Sequence, residues 1–220
     1  ANVVCGSADL VIGLGTRFQD FTTGSWALFR NPARRVLSIN VAPFDGYKHG
    51  ALPLVSDAKV ALEALGLALG SHRFALPDTA LRRDWAEAAA AAKARPAAGN
   101  RLPTDAQVIG AVQRAARPET VIMGAAGTMP GELHKLWDSA RGGYHMEYGF
   151  SCMGYEIAGA IGIKMARPEA DVVCMLGDGS YMMANSELAT AAMMGIGFTV
   201  VLTDNRGYGC INRLQAATGG

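Results

Sequence analysis

The sequence predicts an α/β protein built on doubly wound, mostly parallel sheets. Two observations carry that reading. Short apolar runs alternate with stretches of helical periodicity along nearly the whole chain, and many runs end in glycines or in polar turns. With 220 residues, half of them hydrophobic, the chain is long enough to bury a substantial core, as one large domain or two small ones.

The elements follow in order. The chain opens on an apolar stretch, read as the approach to a strand. "ADLVIGLGTRF" (8–18) and "RRVLSINVAP" (34–43) are continuous apolar runs bounded by glycines or a turn, as buried parallel strands require. "SDAKVALEALGLALG" (56–70) has a serine to cap it, apolar residues at helical spacing and a closing glycine. Residues 1–72 are therefore expected to form part of a doubly wound domain. Residues 73–103 change character: an Ala-rich amphipathic helix ends at Pro96 and a Pro/Gly/Asn stretch follows, so this segment is expected to be a helical linker.

A second α/β domain, 104–220, begins where Thr104 and Gln107 have capping-box spacing. It should contain strands at 120–125, 144–147, 171–176 and 198–203. Helices are expected near 130–139, as the Gly-rich stretch 153–166, and from Asn185 to about Met194. The chain starts without Met and stops at Gly219-Gly220 after an unfinished segment. The expectation is a piece of a longer protein, with this second domain truncated at its C-terminus.

Composition narrows the function classes. A net charge of +1 with 18% charged residues points away from a nucleic-acid surface or a disordered tail and toward small molecules or other chains as partners. Cys5, Cys152, Cys174 and Cys210 lack CxxC spacing, and they read as reduced thiols of a cytoplasmic protein rather than a zinc site. No apolar run reaches the roughly 18 residues of a membrane span, and no signal-peptide pattern opens the chain.

The stretch "MLGDGSYMMANSELATAAMMGIGFTVVLTDNRGYGC" (175–210) holds the strongest signal. Twenty-five residues separate Gly179 from Asn205, room for a turn, a helix and a buried strand, which is one right-handed crossover. Asp178 and Asn205 should then lie just beyond the carboxyl ends of two parallel strands, the edge where open α/β sheets bind ligands. A carboxylate and an amide oxygen there, with a backbone carbonyl from the turn, leave positions on an octahedral Mg²⁺ for phosphate oxygens and water. Gly177 and Gly179 allow close approach of backbone to an anion, and amides after Ser180 would favour its charge. Taken alone, Asp-Gly between strand and helix is most often a plain turn. The second turn at the matching place is what argues for a site.

These residues also carry a resemblance. "GDGSYMMANSELAT" followed by "DNRGYG" resembles the thiamine diphosphate motif of thiamine diphosphate-dependent enzymes. The resemblance implies Asp178 and Asn205 as Mg²⁺ side-chain ligands, the Gly207 carbonyl as a third, and Gly179 and Ser180, beside Gly177, at the diphosphate. "YGFSCMGYEIAGAIG" (148–162) is similar to the acetohydroxyacid synthase-like segment that ends in Met-Gly before a Gly-rich helix, which implies that Ser151 and Met153 touch the cofactor, Met153 as an apolar wedge. "MGAAGTMP" (123–130) stands where those enzymes have their first diphosphate loop, with Gly127, Thr128 and Met129 at the matched positions. It departs from the Gly-Gln-His usual in the synthases, which speaks against acetolactate chemistry.

"ADLVIGLGTRFQDFTTGSW" and "VLSINVAPFDGYKHGALPLVSDAKVALEAL" are similar to the second half of the central, Rossmann-like domain of the same superfamily. Of its families the trihydroxycyclohexane-1,2-dione hydrolases of myo-inositol catabolism resemble this chain most. The resemblance implies carbon–carbon bond cleavage next to a carbonyl, here ring-opening hydrolysis to a 5-deoxy-glucuronate, and a small carbonyl substrate. Alternatives are an acetolactate synthase-like enzyme or a 2-oxo acid or malonate semialdehyde decarboxylase; taken as an isolated piece, the chain could be a non-catalytic cofactor-binding module. The family also implies a homodimer or homotetramer, in which an activating glutamate reaches the cofactor from a pyrimidine-binding domain of a partner subunit. That domain should precede residue 1, so catalytic residues stay unassigned here, and FAD stays undecided.

Other features read as structural. Gly13-Leu14-Gly15 lacks the third glycine of a dinucleotide fingerprint, since Phe18 stands there, and an NAD-dependent oxidoreductase is the weaker reading. His134 and His145 default to structural hydrogen bonding, Glu147 and Glu156 to caps or ion pairs, and Arg206 and Arg213 to solvated or interface charges. The methionines at 182, 183, 193 and 194 read as packing.

Overall fold

A computed structural model of the chain describes residues 2–73 and 80–219, in two compact units that divide between Thr79 and Ala80. Residues 74–79 of the expected linker lie outside the described residues.

The first unit runs α1 (Asn2–Ser7), β1 (Leu10–Leu14), α2 (Asp20–Thr23), β2 (Arg35–Asn40), α3 (Pro43–Gly46), β3 (Leu52–Val55) and α4 (Ala58–Leu69), with a single 3-10 turn at Lys48–Gly50. Its three strands are parallel in the order β1-β2-β3. The apolar opening is a short helix rather than the approach to a strand. Pairing begins only where the Asp9 carbonyl accepts from the Arg35 amide at 2.8 Å, and residues before it have no strand to lie against. Strand β3 escapes a sequence reading because Pro53 sits in it; Pro lacks a donor and is tolerated at the sheet edge that β3 forms. The cap of α4 is Asp57, which accepts from the Lys59 and Val60 amides at 2.9 and 3.2 Å, and not Ser56. A Cβ at Gly13 would come within 2.3 Å of the Phe18 ring, so that glycine serves packing at the strand end.

The second unit runs α5 (Ala80–Ala94), α6 (Asp105–Ala115), β4 (Val121–Gly124), α7 (Thr128–Leu136), β5 (Tyr144–Met146), α8 (Tyr155–Ala166), β6 (Val172–Gly177), α9 (Asp178–Ala184), α10 (Glu187–Met193), β7 (Thr199–Thr203) and α11 (Gly209–Thr218). All four strands are parallel in the order β5-β4-β6-β7. Alternation along the strands splits the core into two layers. Val121, Met123, Val172, Cys174 and Leu176 pack on one face with Ile157, Ala160 and Ile163 of α8. Ile122, Val173 and Met175 pack on the other with Ile109 of α6 and Met129, Leu133 and Leu136 of α7.

The Ala-rich helix of the expected linker, α5, belongs to this second unit. Its Ala89 packs against the second layer, and Lys93 Nζ donates to Gln113 Oε1 at 2.9 Å. Thr104 and Gln107 form the capping box at the start of α6. The Gln107 amide also donates to the Arg95 and Pro96 carbonyls at 3.0 and 2.8 Å, which binds the Pro-containing stretch to the helix it precedes.

The largest departure from expectation is at residues 178–194. The helix expected from Asn185 to about Met194 is present as α10, and a further helix, α9, precedes it from Asp178 to Ala184. At Asn185 and Ser186 the backbone keeps right-handed helical angles before α10 starts, so the Asn-Ser pair tightens a turn without opening a loop. Among the described residues no helix is long and apolar enough to cross a membrane. All four cysteines are free thiols, as expected.

Candidate functional site

Strand order decides where a ligand can sit in the second unit. From β4 the chain goes to β5 on one side, then returns to β6 on the other side of β4, with α7 and α8 on opposite faces of the sheet. The connections therefore diverge between the carboxyl ends of β4 and β6, and a crevice opens there. Residues 125–127 after β4, Asp178 after β6, and 204–207 after β7 all reach this edge.

Register brings Asp178 and Asn205 together. Gly177 pairs with Thr203, so each side chain follows its own strand end by one or two residues. Asp178 Oδ2 accepts from the Gly207 amide at 2.6 Å and Oδ1 from the Asn205 amide at 3.3 Å. Burial pushes the Asp178 carboxyl up, but donation from the backbone N–H groups of Gly207, Asn205, Gly179 and Asp178 itself outweighs it and leaves the group below its ordinary value. The Asn205 side-chain oxygen lies 3.2 Å from Asp178 Oδ1 and 2.7 Å from the Gly207 carbonyl oxygen. Three acceptors thus face one another without a proton between them. Either the amide turns over, so that its nitrogen donates to both, or a cation lies among the three oxygens. A hard divalent ion fits this donor set. Among the described residues no trio of His, Cys, Asp or Glu side chains offers an alternative metal site.

The remaining candidate residues surround this set unequally. Gly127 has φ +115°, open to glycine but strained for other residues, and it immediately precedes α7 with its backbone uncrowded. Thr128 Oγ1 accepts from Arg213 Nη2 at 2.6 Å, whereas Met129 is 2% exposed and packs into the core. Gly177 has ample room around an added Cβ. At Gly179 a Cβ would come within 2.8 Å of the Tyr208 ring, so the second glycine of the motif is demanded by the protein's own packing. Ser180 is 1% exposed, and its hydroxyl donates to Glu156 instead of facing the crevice. Ser151, at φ +58°, and half-buried Met153 lie on the loop before α8. That loop is shaped by Glu147, whose carboxylate accepts from the Phe150 and Cys152 amides at 2.9 and 2.6 Å. No hydrogen bond among the described residues links Ser151 or Met153 directly to Asp178 or Asn205.

Three residues gain roles that the sequence reading did not give them. Glu156, read as a cap or ion-pair partner, is wholly buried and joins the loop before α8 to Ser180. The available signal was its helical phase: it shares a face with Ala160 and Ile163 on the apolar side of α8. Arg213, read as a solvated or interface charge, crosses from α11 to Thr128, and Tyr208 packs on Gly179; neither contact has a short-range sequence signature. His145 stacks on Tyr155 and hydrogen-bonds its hydroxyl at 3.1 Å, the structural role expected of it.

Comparison with known proteins adds the following. Residues 125–220 match the family model described as thiamine pyrophosphate enzyme, C-terminal TPP binding domain, and residues 1–65 match the one described as thiamine pyrophosphate enzyme, central domain. The chain is 41% identical over 244 residues to a Geobacillus thermodenitrificans protein named 3D-(3,5/4)-trihydroxycyclohexane-1,2-dione hydrolase, which covers all of this chain. It is 38% identical to a Clostridium perfringens protein and 40% identical to one from Bacillus cereus, both of the same name and again over the whole chain. The chain spans 38% of the length of these relatives.

Proposed function

We propose that this chain, which carries the central and C-terminal TPP-binding domains of the thiamine pyrophosphate enzymes, supplies the metal-diphosphate half of an active site that cleaves a carbon–carbon bond next to a carbonyl. The observation that carries the reading is the meeting of the Asp178 carboxylate, the Asn205 side-chain amide and the Gly207 carbonyl at the carboxyl ends of β6 and β7. In this reading Asp178, Asn205 and the Gly207 carbonyl would hold Mg²⁺, which would offset the charge of the diphosphate. The half-buried backbone of Gly127 and Thr128 on one side, and of Gly177 with the buried Gly179 behind it on the other, would border the phosphates. Met153, before α8, would give the cofactor apolar support.

Thiamine diphosphate, when bound, supplies a carbanion that adds to the substrate carbonyl and takes up the electron pair of the bond broken beside it. This chain's own residues bind and orient that group. The glutamate that activates it is assigned to a pyrimidine-binding domain outside the chain, in a dimer or tetramer. The shared name of the relatives supports a cyclic trihydroxy-1,2-dione as substrate, opened by hydrolysis. The absence of Gly-Gln-His at 127–129 favours that reading over acetolactate synthesis.

Calorimetry of the full-length protein tests it. Thiamine diphosphate is expected to bind only with Mg²⁺ present, and Asp178→Ala to abolish that metal-dependent binding. Undiminished binding by the variant would remove Asp178 from the metal site. Turnover assays with the cyclic dione against pyruvate and malonate semialdehyde then decide the substrate.

A further inference from the structure

Glu156 is a fully buried carboxylate in the first turn of α8, and no Lys, Arg or His among the described residues forms an ion pair with it. Such a group is costly unless hydrogen bonds occupy its oxygens. Here they come from two separate segments. Ser180 Oγ, two residues after Asp178, lies 2.8 and 2.7 Å from the two carboxylate oxygens. The Gly154 amide, next to Met153, donates to Oε2 at 3.0 Å and also to Ser180 Oγ at 2.8 Å. Burial pushes the Glu156 carboxyl above its ordinary value, and these hydrogen bonds work in the opposite direction.

We infer that Glu156 is a positioning residue that fastens the turn before α8 to the start of α9, with the Ser180 hydroxyl as its strut and not as a phosphate contact. This rests on the cofactor reading above. Its geometric ground is that each fastened segment borders a residue assigned to the cofactor: Gly154 adjoins Met153, and Ser180 adjoins Gly179. A single carboxylate thereby sets the spacing between two segments 26 residues apart in sequence. Both segments present donors to the same place, so the group that joins them has to be an acceptor, which explains an acid on an otherwise apolar helix face.

The test uses the full-length protein and reads cofactor affinity by calorimetry beside Tm. Glu156→Ala is expected to weaken thiamine diphosphate binding by about tenfold or more, the scale of an unpaired buried polar group. Glu156→Gln keeps an acceptor for Gly154 and a partner for Ser180, so it should restore most of that affinity. Ser180→Ala added to Glu156→Ala should cost nothing further, whereas additive losses would make Ser180 a direct phosphate ligand and overturn the proposal. Wild-type affinity in Glu156→Ala would overturn it as well. If Glu156→Ala does not fold, Ser180→Ala is read without cofactor by hydrogen exchange: the Gly154 amide should lose about tenfold in protection, and unchanged protection refutes the strut. Failure of the wild-type protein to bind thiamine diphosphate would sink the functional reading and leave that exchange result standing.

Discussion

Both carboxylate oxygens of Glu147 accept from backbone amides, and that one residue holds the loop carrying Ser151 in shape. The Cys152 and Phe150 amides hold its carboxyl below the ordinary 4.5, against the opposing effect of burial. A lowered carboxyl contributes stability that is complete above pH 4.5 and is lost as pH falls through the lower folded value. Protection of the Phe150 and Cys152 amides, measured by hydrogen exchange, should therefore fall on acidification below that range, and Glu147→Gln should remove the pH dependence. At this scale the sequence was legible where a motif has fixed spacing: Asp178, Asn205 and Gly207 meet as the turn positions require. It was not legible where the role depends on which way a side chain turns. Ser180 faces Glu156 and Met129 faces the core, and nothing in "GDGS" or "GTMP" encodes that choice.

Helices α5 and α6 cross with unusually close backbones. A Cβ at Gly110 would come within 2.2 Å of the Lys93 carbonyl oxygen, and that oxygen already accepts from Arg114 Nη1 at 3.1 Å. Alanine in a helix interior ordinarily stabilises by about 0.5–1 kcal/mol relative to glycine. Here the clash is with backbone that cannot swing aside, and overpacking costs about 1–3 kcal/mol. Gly110→Ala should accordingly lower Tm, and an unchanged or higher Tm would contradict the close crossing. The Pro/Gly/Asn stretch after Pro96 suggested that α5 belongs to a linker; the close crossing with α6 instead ties it to the second unit. Strands β1, β2, β4, β6 and β7 were readable as apolar runs. Strand β3 was hidden by Pro53 and α9 by its glycine, because edge placement and a helix starting directly from a strand both override local propensity.

Over the whole second unit, the parallel sheet and its two packed faces were legible from alternation of element types, and so was the ligand-bearing edge. Strand order was not, because β5 holds only three residues and its place beside β4 depends on packing that acts at long range. That order has one more consequence. Strand β7 is the outermost strand on its side among the described residues, paired only with β6, and Asn205 and Gly207 lie just past its end. Two of the three oxygens therefore follow a strand secured on one side only, while Asp178 follows an interior one. A bound ion would act as a clasp across the sheet's open margin, and its binding free energy would fall mainly on fraying of that margin. Amides of β7 should exchange markedly slower once Mg²⁺ and the cofactor are present, while those of β4 stay as they were. A nascent chain, equally, could not capture the ion until β7 had docked on β6, so the ligand would select chains in which that pair has formed over those in which it has not.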